Sequence, residues 1–215
     1  SDRDWSSDVC SSDLSPRTSP APLAVLYSRA LAGVDAPLVT VEVHLGNGLP
    51  AFNIVGLAEA EVREARDRVR AALSTCGFDF PARRITVNLA PADQPKSSGR
   101  LDLPIALGVL ILAGALPQGC LENTLVIGEL SLDGSVRHAR GVLPMAAMAR
   151  TLGYAKLICP LVDAAEAALV PDIEIIAVDT LAGIYRHLIG EKIIAPTLAN
   201  NEAAFFEEEF TDFAE

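Results

Sequence analysis

ITVNLAPADQPKSSGRLDLPIALGVLILAGAL, residues 85–116, joins an alternating apolar segment to an almost wholly apolar one through a polar loop. Ile85, Val87 and Leu89 alternate with Thr86 and Asn88, the period of two expected of a strand with one face in a core. Pro91 and Pro95 end any ladder, and Asp93, Lys96, Ser97, Ser98, Gly99 and Arg100 supply charge, hydroxyls and a hinge. From Leu101 to Leu116 Asp102 is the only charge, and Pro104 falls in the first turn, where its missing N–H costs little. A helix apolar on every side belongs in the middle of a domain, so the rest of the chain is expected to wrap around this one.

Working outward, apolar runs over 23–31 and 38–45, separated by Gly33, Asp35 and Pro37, predict two strands and a turn, and 52–55 a third strand ended by Gly56. Thr40, Glu42 and His44 share one face of the second run, which reads as a solvated sheet face rather than a metal site. Residues 59–76 form an amphipathic helix: Val62, Ala65, Val69, Ala72 or Leu73, and Cys76 recur every three or four residues. Its other face is ionic, acids first and arginines later, the order that suits the helix dipole. Beyond the central helix, strands over 124–127, 156–158 and 174–178 alternate with helices over 142–152, 163–169 and 181–189, and Asp133-Gly134 marks a tight turn between two short strands. This alternation predicts an α/β domain with helices packed on a mixed sheet.

The motif NLAPADxPKxxGRxDLPIA in the central stretch, with GLPAFNIVGLAEAEVREARDRVRAAL at 48–73, resembles the N-terminal domain of the ComM/YifB-type, magnesium-chelatase-like AAA+ proteins. The resemblance covers about 23–190 and implies a fold like the proteolytic domain of Lon, of the ribosomal protein S5 domain 2-like kind. It also implies an ATPase module after this domain, with ATP and Mg bound there and no cofactor here. The whole protein is then expected to be a cytoplasmic hexamer that acts on DNA by branch migration during natural transformation. Its partners would be its own ATPase module, neighbouring subunits and, through the full-length protein, DNA.

Residues 1–22 do not belong with this pattern. They are rich in Ser, Asp and Pro, without periodicity, and 1–14 resemble translated sequencing-adaptor sequence, so the segment is expected to be a disordered leader. Residues 191–215 carry seven acids against Lys192 alone and read as an acidic linker into the ATPase module. Removing the −6 of that tail and the −2 of the leader from the total of −11 leaves −3 for 23–190, too balanced to support electrostatic binding of nucleic acid. Cys10, Cys76, Cys120 and Cys159 are scattered without CxxC spacing, which argues against a zinc site or disulfide framework. Mean hydropathy is +0.32, yet no apolar run is long enough to span a bilayer.

Three chemistries compete at the polar loop, where Asp93, Lys96, Ser97, Ser98, Arg100 and Asp102 are the candidate contact residues. A Lon-like peptidase needs a serine and a lysine of lowered pKa. Aligning PKSSGRLD on the Lon loop puts the nucleophile position on Arg100 and the lysine position near Leu143, so no catalytic residue is assigned. A structural or assembly role would have Asp102 cap the helix or pair with Arg100. Nucleotide binding lacks its GxxxxGK[ST] loop. Arg63, Arg66, Arg70, Arg83 and Arg84 are the candidate contacts to DNA or to an adjoining subunit, against the alternative of a self-paired, solvated face. The sequence therefore predicts a non-catalytic accessory or assembly domain. The alternatives are a Ser/Lys peptidase domain and a protein-interaction module of a chelatase-like ring.

Overall fold

The computed structural model describes residues 23–30, 36–56, 60–92 and 99–199. Its main sheet contains β1 (Leu23–Arg29), β2 (Leu38–Gly46), β3 (Ala51–Val55), β4 (Arg84–Ala90), β5 (Thr124–Val126), β8 (Lys156–Pro160) and β9 (Glu174–Val178). The order across it is β3-β4-β2-β1-β5-β8-β9. β2 runs antiparallel to both β1 and β4, while β3 lies parallel to β4, and β1, β5, β8 and β9 are mutually parallel. The sheet is mixed, as the sequence predicted, and the α/β architecture is consistent with a Lon-like domain. β6 (Glu129–Leu130) and β7 (Val136–Arg137) form the expected hairpin, in which Asp133 accepts from the Ser135 N–H at 3.0 Å.

Among the described residues, five helices cover the sheet: α1 (Ala60–Thr75), α2 (Asp102–Leu112), α3 (Val142–Thr151), α4 (Ala164–Ala167) and α5 (Leu181–Leu188). The main core gathers the predicted stripe of α1, all of α2 and α5 against one face of the sheet, from Phe52 on β3 to Val178 on β9. A second, alanine-rich core lies on the other face, where α3 and α4 pack on Leu125, Leu157 and Ile175. That layer covers β5, β8 and β9, and among the described residues no helix packs on the same face of β2, β3 and β4. Thr40, Glu42 and His44 are half-buried there beside Thr86 and Asn88, and Asn88 donates to Glu42 at 2.7 Å. The expected polar sheet face is thus present, half-buried and carrying one cross-strand side-chain hydrogen bond.

The central helix behaves as its composition requires, since every residue from Asp102 to Leu110 is buried. It is shorter than predicted. The helix ends at Leu112 and Gly114 follows with φ +77, so 113–116 leave as a turn. Gly108 is what lets α2 lie so close to the sheet: a Cβ there would come within 2.6 Å of Val43 and 3.0 Å of Leu26. Ala is favoured over Gly in a helix by roughly 1 kcal/mol, yet overpacking a closed core costs about 1–3 kcal/mol. Gly108→Ala is therefore expected to lower unfolding stability by about 1 kcal/mol, read from urea denaturation, despite the better helix former.

Candidate functional site

The polar loop delivers its last residues into the core through a turn of 3-10 helix, Gly99–Leu101, continuous with α2. Two backbone bonds fix that entry: Gly128 N–H donates to the Arg100 carbonyl and Leu103 N–H to the Gly128 carbonyl, both at 2.9 Å. Gly128 has no room for a side chain, because a Cβ would lie 2.9 Å from Val136 and 3.1 Å from Leu103. The consequence is that Arg100 and Asp102 are both pulled inside, 5% and 0% exposed. Neither is a surface contact, which corrects their place among the candidate contact residues.

Asp102 neither caps the helix nor pairs with Arg100. Its carboxylate takes Nε and Nη2 of Arg68 at 2.7 and 3.1 Å and the Leu130 N–H at 3.2 Å, and no side chain caps the start of α2. The fork of one guanidinium on one carboxylate ties α1 to α2, and the Leu130 bond adds β6. By sequence Arg68 belongs to the ionic face of α1. It stands at i+3 from Ala65 and i−4 from Ala72, on the edge of the apolar stripe, and that spacing was the signal for it. Burial raises the Asp102 carboxyl to about 6, outweighing the pull of Arg68, whereas Arg68 itself is raised by Asp102 and stays partly exposed.

Arg100 points the other way, towards the second core. Its Nη1 lies 3.2 Å from the Arg140 carbonyl and 3.8 Å from Met145 Sδ, and burial lowers its pKa. Arg100 thus meets Arg140 and Met145, which stand on either side of Leu143 in sequence, while Leu143 itself is exposed. A guanidinium neither attacks a carbonyl nor accepts a proton near neutrality. Lys156, the next lysine in the chain after Lys96, pairs with Glu174 at the start of β8. β8 is parallel to β5, with Lys156 opposite Thr124, whereas Arg100 bonds at Gly128, four residues and about 13 Å further along. Asp93, Lys96, Ser97 and Ser98 lie outside the described residues, as does the side chain of Arg63.

The remaining arginines do stand on the surface. Arg66 touches Asp67 at 3.1 Å in an exposed pair, Arg70 lies over the Phe80 ring at 5.3 Å, Arg83 donates to Asn47 Oδ1 at 2.9 Å, and Arg84 is exposed. Sequence reasoning missed two further buried ionic groups. Asp163, 4% exposed, accepts from the Ala139 N–H at 2.8 Å and pairs with His138 Nδ1, securing the approach to α3. Arg29, 1% exposed, donates to the Ala36 carbonyl. Arg29 ends an apolar run and Asp163 opens a predicted helix, and neither position marked a buried charge. Among the described residues no helix is long and apolar enough to cross a membrane.

The clamp has a measurable pH signature. Burial pushes the Asp102 carboxyl up from its ordinary 3.8 to about 6, so its neutral form is favoured by folding. Its contribution is fully present below pH 3.8 and is lost as pH rises through 6, on the order of 3 kcal/mol in all. Asp102→Asn is expected to flatten the stability profile between pH 4 and 7 relative to the native chain. Arg68→Met leaves the carboxylate buried alone and is expected to cost about 3–5 kcal/mol at pH 7 and less at pH 4.5. Urea denaturation at the two pH values reads both.

Comparison with known proteins agrees with the motifs. The family model described as subunit ChlI of Mg-chelatase matches residues 41–163. The chain is 48% identical over 170 residues to the competence protein ComM of Haemophilus influenzae, covering 79% of this chain and 33% of that one. It is 42% identical over 182 residues to the uncharacterized protein YifB of Salmonella typhimurium, covering 85% and 36%. An uncharacterized Mycobacterium tuberculosis protein, Rv2897c, is 41% identical over 169 residues, covering 79% and 34%. The chain spans about a third of the length of these curated relatives. With more than half of its length matched by the family model and both motifs in place, the chain belongs to the ChlI family, among the magnesium-chelatase-like AAA+ proteins of ComM/YifB type.

Proposed function

We infer that residues 23–190 act as a non-catalytic accessory domain through which a chelatase-like AAA+ ATPase assembles or engages its partners. The observation that supports this reading is the buried Arg100 guanidinium, hydrogen-bonded to the Arg140 carbonyl and packed on Met145, at the position that the sequence aligns with the Lon nucleophile. A serine hydrolase needs a nucleophile and base within hydrogen-bond reach, and donors aimed at the oxyanion. Arginine holds that position and fixes the loop to α3. ATP and Mg belong in this reading to an ATPase module following the acidic segment 191–215. Work on DNA belongs to the whole protein, in keeping with the competence name of the Haemophilus relative.

The purified chain is expected to leave casein intact and to stay unlabelled by a fluorophosphonate probe. Labelling that disappears in Ser97→Ala or Ser98→Ala, accompanied by casein cleavage, would establish the peptidase alternative instead. A second expectation concerns nucleic acid. Strong salt-dependent binding takes six to ten phosphate contacts, and the exposed arginines of this near-neutral domain are too few. Anisotropy at physiological salt should show no sub-micromolar binding of single-stranded or branched DNA; binding that Arg66→Glu with Arg70→Glu abolishes would refute this.

A further inference from the structure

The chain does not leave the domain where α5 ends. Gly190, with φ +78, closes that helix: its N–H donates to the His187 carbonyl at 3.0 Å, and the Glu191 N–H to the Arg186 carbonyl at 2.9 Å. Residues 191–199 then turn back along the sheet. Ile194 packs against the main core, while Ile193, Ala195, Pro196 and Leu198 stay exposed. Thr197 N–H donates at 2.8 Å to the Ile175 carbonyl on β9, the strand at this edge of the sheet. Ile194 N–H donates at 3.0 Å to Nδ1 of His187. Among the described residues the segment beyond the helix cap is thus fastened by one apolar side chain and two N–H bonds, three residues apart.

The two bonds differ in kind. A backbone carbonyl accepts at every pH, whereas an imidazole nitrogen accepts only while it carries no proton. The bond from Ile194 therefore requires the neutral ring of His187, with its proton on Nε2. A second proton would set an N–H against the Ile194 N–H, and two donors facing each other repel. The charged groups around the ring come from three elements. Lys156 at the start of β8 and Glu174 at the start of β9 face it and pair with each other at 3.3 Å, and on α5 itself Arg186 pairs with Glu191 at 3.8 Å. Burial, aided by Lys156, outweighs Glu174 and holds the imidazole below its ordinary 6.5.

We propose that residues 191–199 are a releasable strap, latched onto the β9 edge by the neutral ring of His187 and freed when that ring takes a proton. Ordering nine residues opposes closure, so losing one of two backbone fastenings shifts the balance towards release. The sign follows from the acceptor: the latch is closed above pH 6.5 and opens as pH falls below it. Its opening equilibrium rises by up to about tenfold per pH unit, until the ring is protonated in the closed form as well. Release bares the outer row of β9 and adds nine residues, at most about 30 Å of extended chain, to whatever follows. That second effect rests on the reading above, in which this segment leads to an ATPase module: a closed strap fixes where the module begins, and an open one lets it swing.

The test is amide exchange resolved by NMR on the whole chain, read as protection factors at pH 7.5 and 5.5. In the native chain Ile194 and Thr197 are expected to lose protection together, at least tenfold, while the amides of α2 keep theirs. His187→Asn offers Oδ1 as an acceptor that does not titrate, so its strap should stay protected at both pH values. His187→Leu removes the acceptor and should leave both amides unprotected throughout. Protection at Ile194 and Thr197 that stays level in the native chain, or that falls as far in His187→Asn, would overturn the proposal. So would loss at Ile194 alone, or an imidazole that titrates above 6.5. The assembly reading fails separately, if a full-length relative forms its ring unchanged without the region equivalent to 23–190.

Discussion

A single carboxylate with no access to water, held by the fork of Arg68, is the constraint around which the fold is arranged. Burying Asp102 is unfavourable by itself, and only the simultaneous presence of α1, α2 and β6 satisfies its oxygens. No two of those elements suffice. The interaction is therefore weak as a source of stability and strong as a selector of arrangement, since a shifted α1 would leave a charge in hydrocarbon. Gly108 and Gly128 act in the same direction by sterics, because each permits one close approach and would reject a side chain.

Arg100 plays a related part at the opposite side of the same turn. It sends a guanidinium into the alanine-rich layer, where the Arg140 carbonyl and Met145 receive it. Two charged residues separated by one leucine thus point into two different cores, one on each face of the sheet. The loop before them, the most chemically varied segment of the chain, is tethered at its exit by structural bonds.

Much of this was legible in the residues. Strict alternation over 38–45 and 85–89 located β2 and β4, the stripe from Val62 to Leu73 located α1, and the all-apolar run after Asp102 located the central helix. Strand order was not legible, because alternation says which face is buried and never which strand lies alongside. The ionic partners were misread for a related reason. Local spacing suggested Arg100 for Asp102, two residues away, yet residues two apart on a helix do not face each other, and the partner came from thirty-four residues upstream. His138 with Asp163, and Arg29 inside the sheet, left no periodic mark at all.

The uneven clothing of the sheet also bears on how the molecule opens. The layer of α1, α2 and α5 touches strands from one edge to the other, whereas α3 and α4 turn mainly alanines towards three strands. Small side chains bury little area, so the second layer is held by less hydrophobic free energy per residue than the first. Thermal fluctuation should then release α3 and α4 as a unit while the larger layer stays closed, and amide protons on those helices should exchange with solvent ahead of those on α2. Such a hierarchy makes one half of the domain a rigid keel and the other a hatch, with Arg100 as its latch.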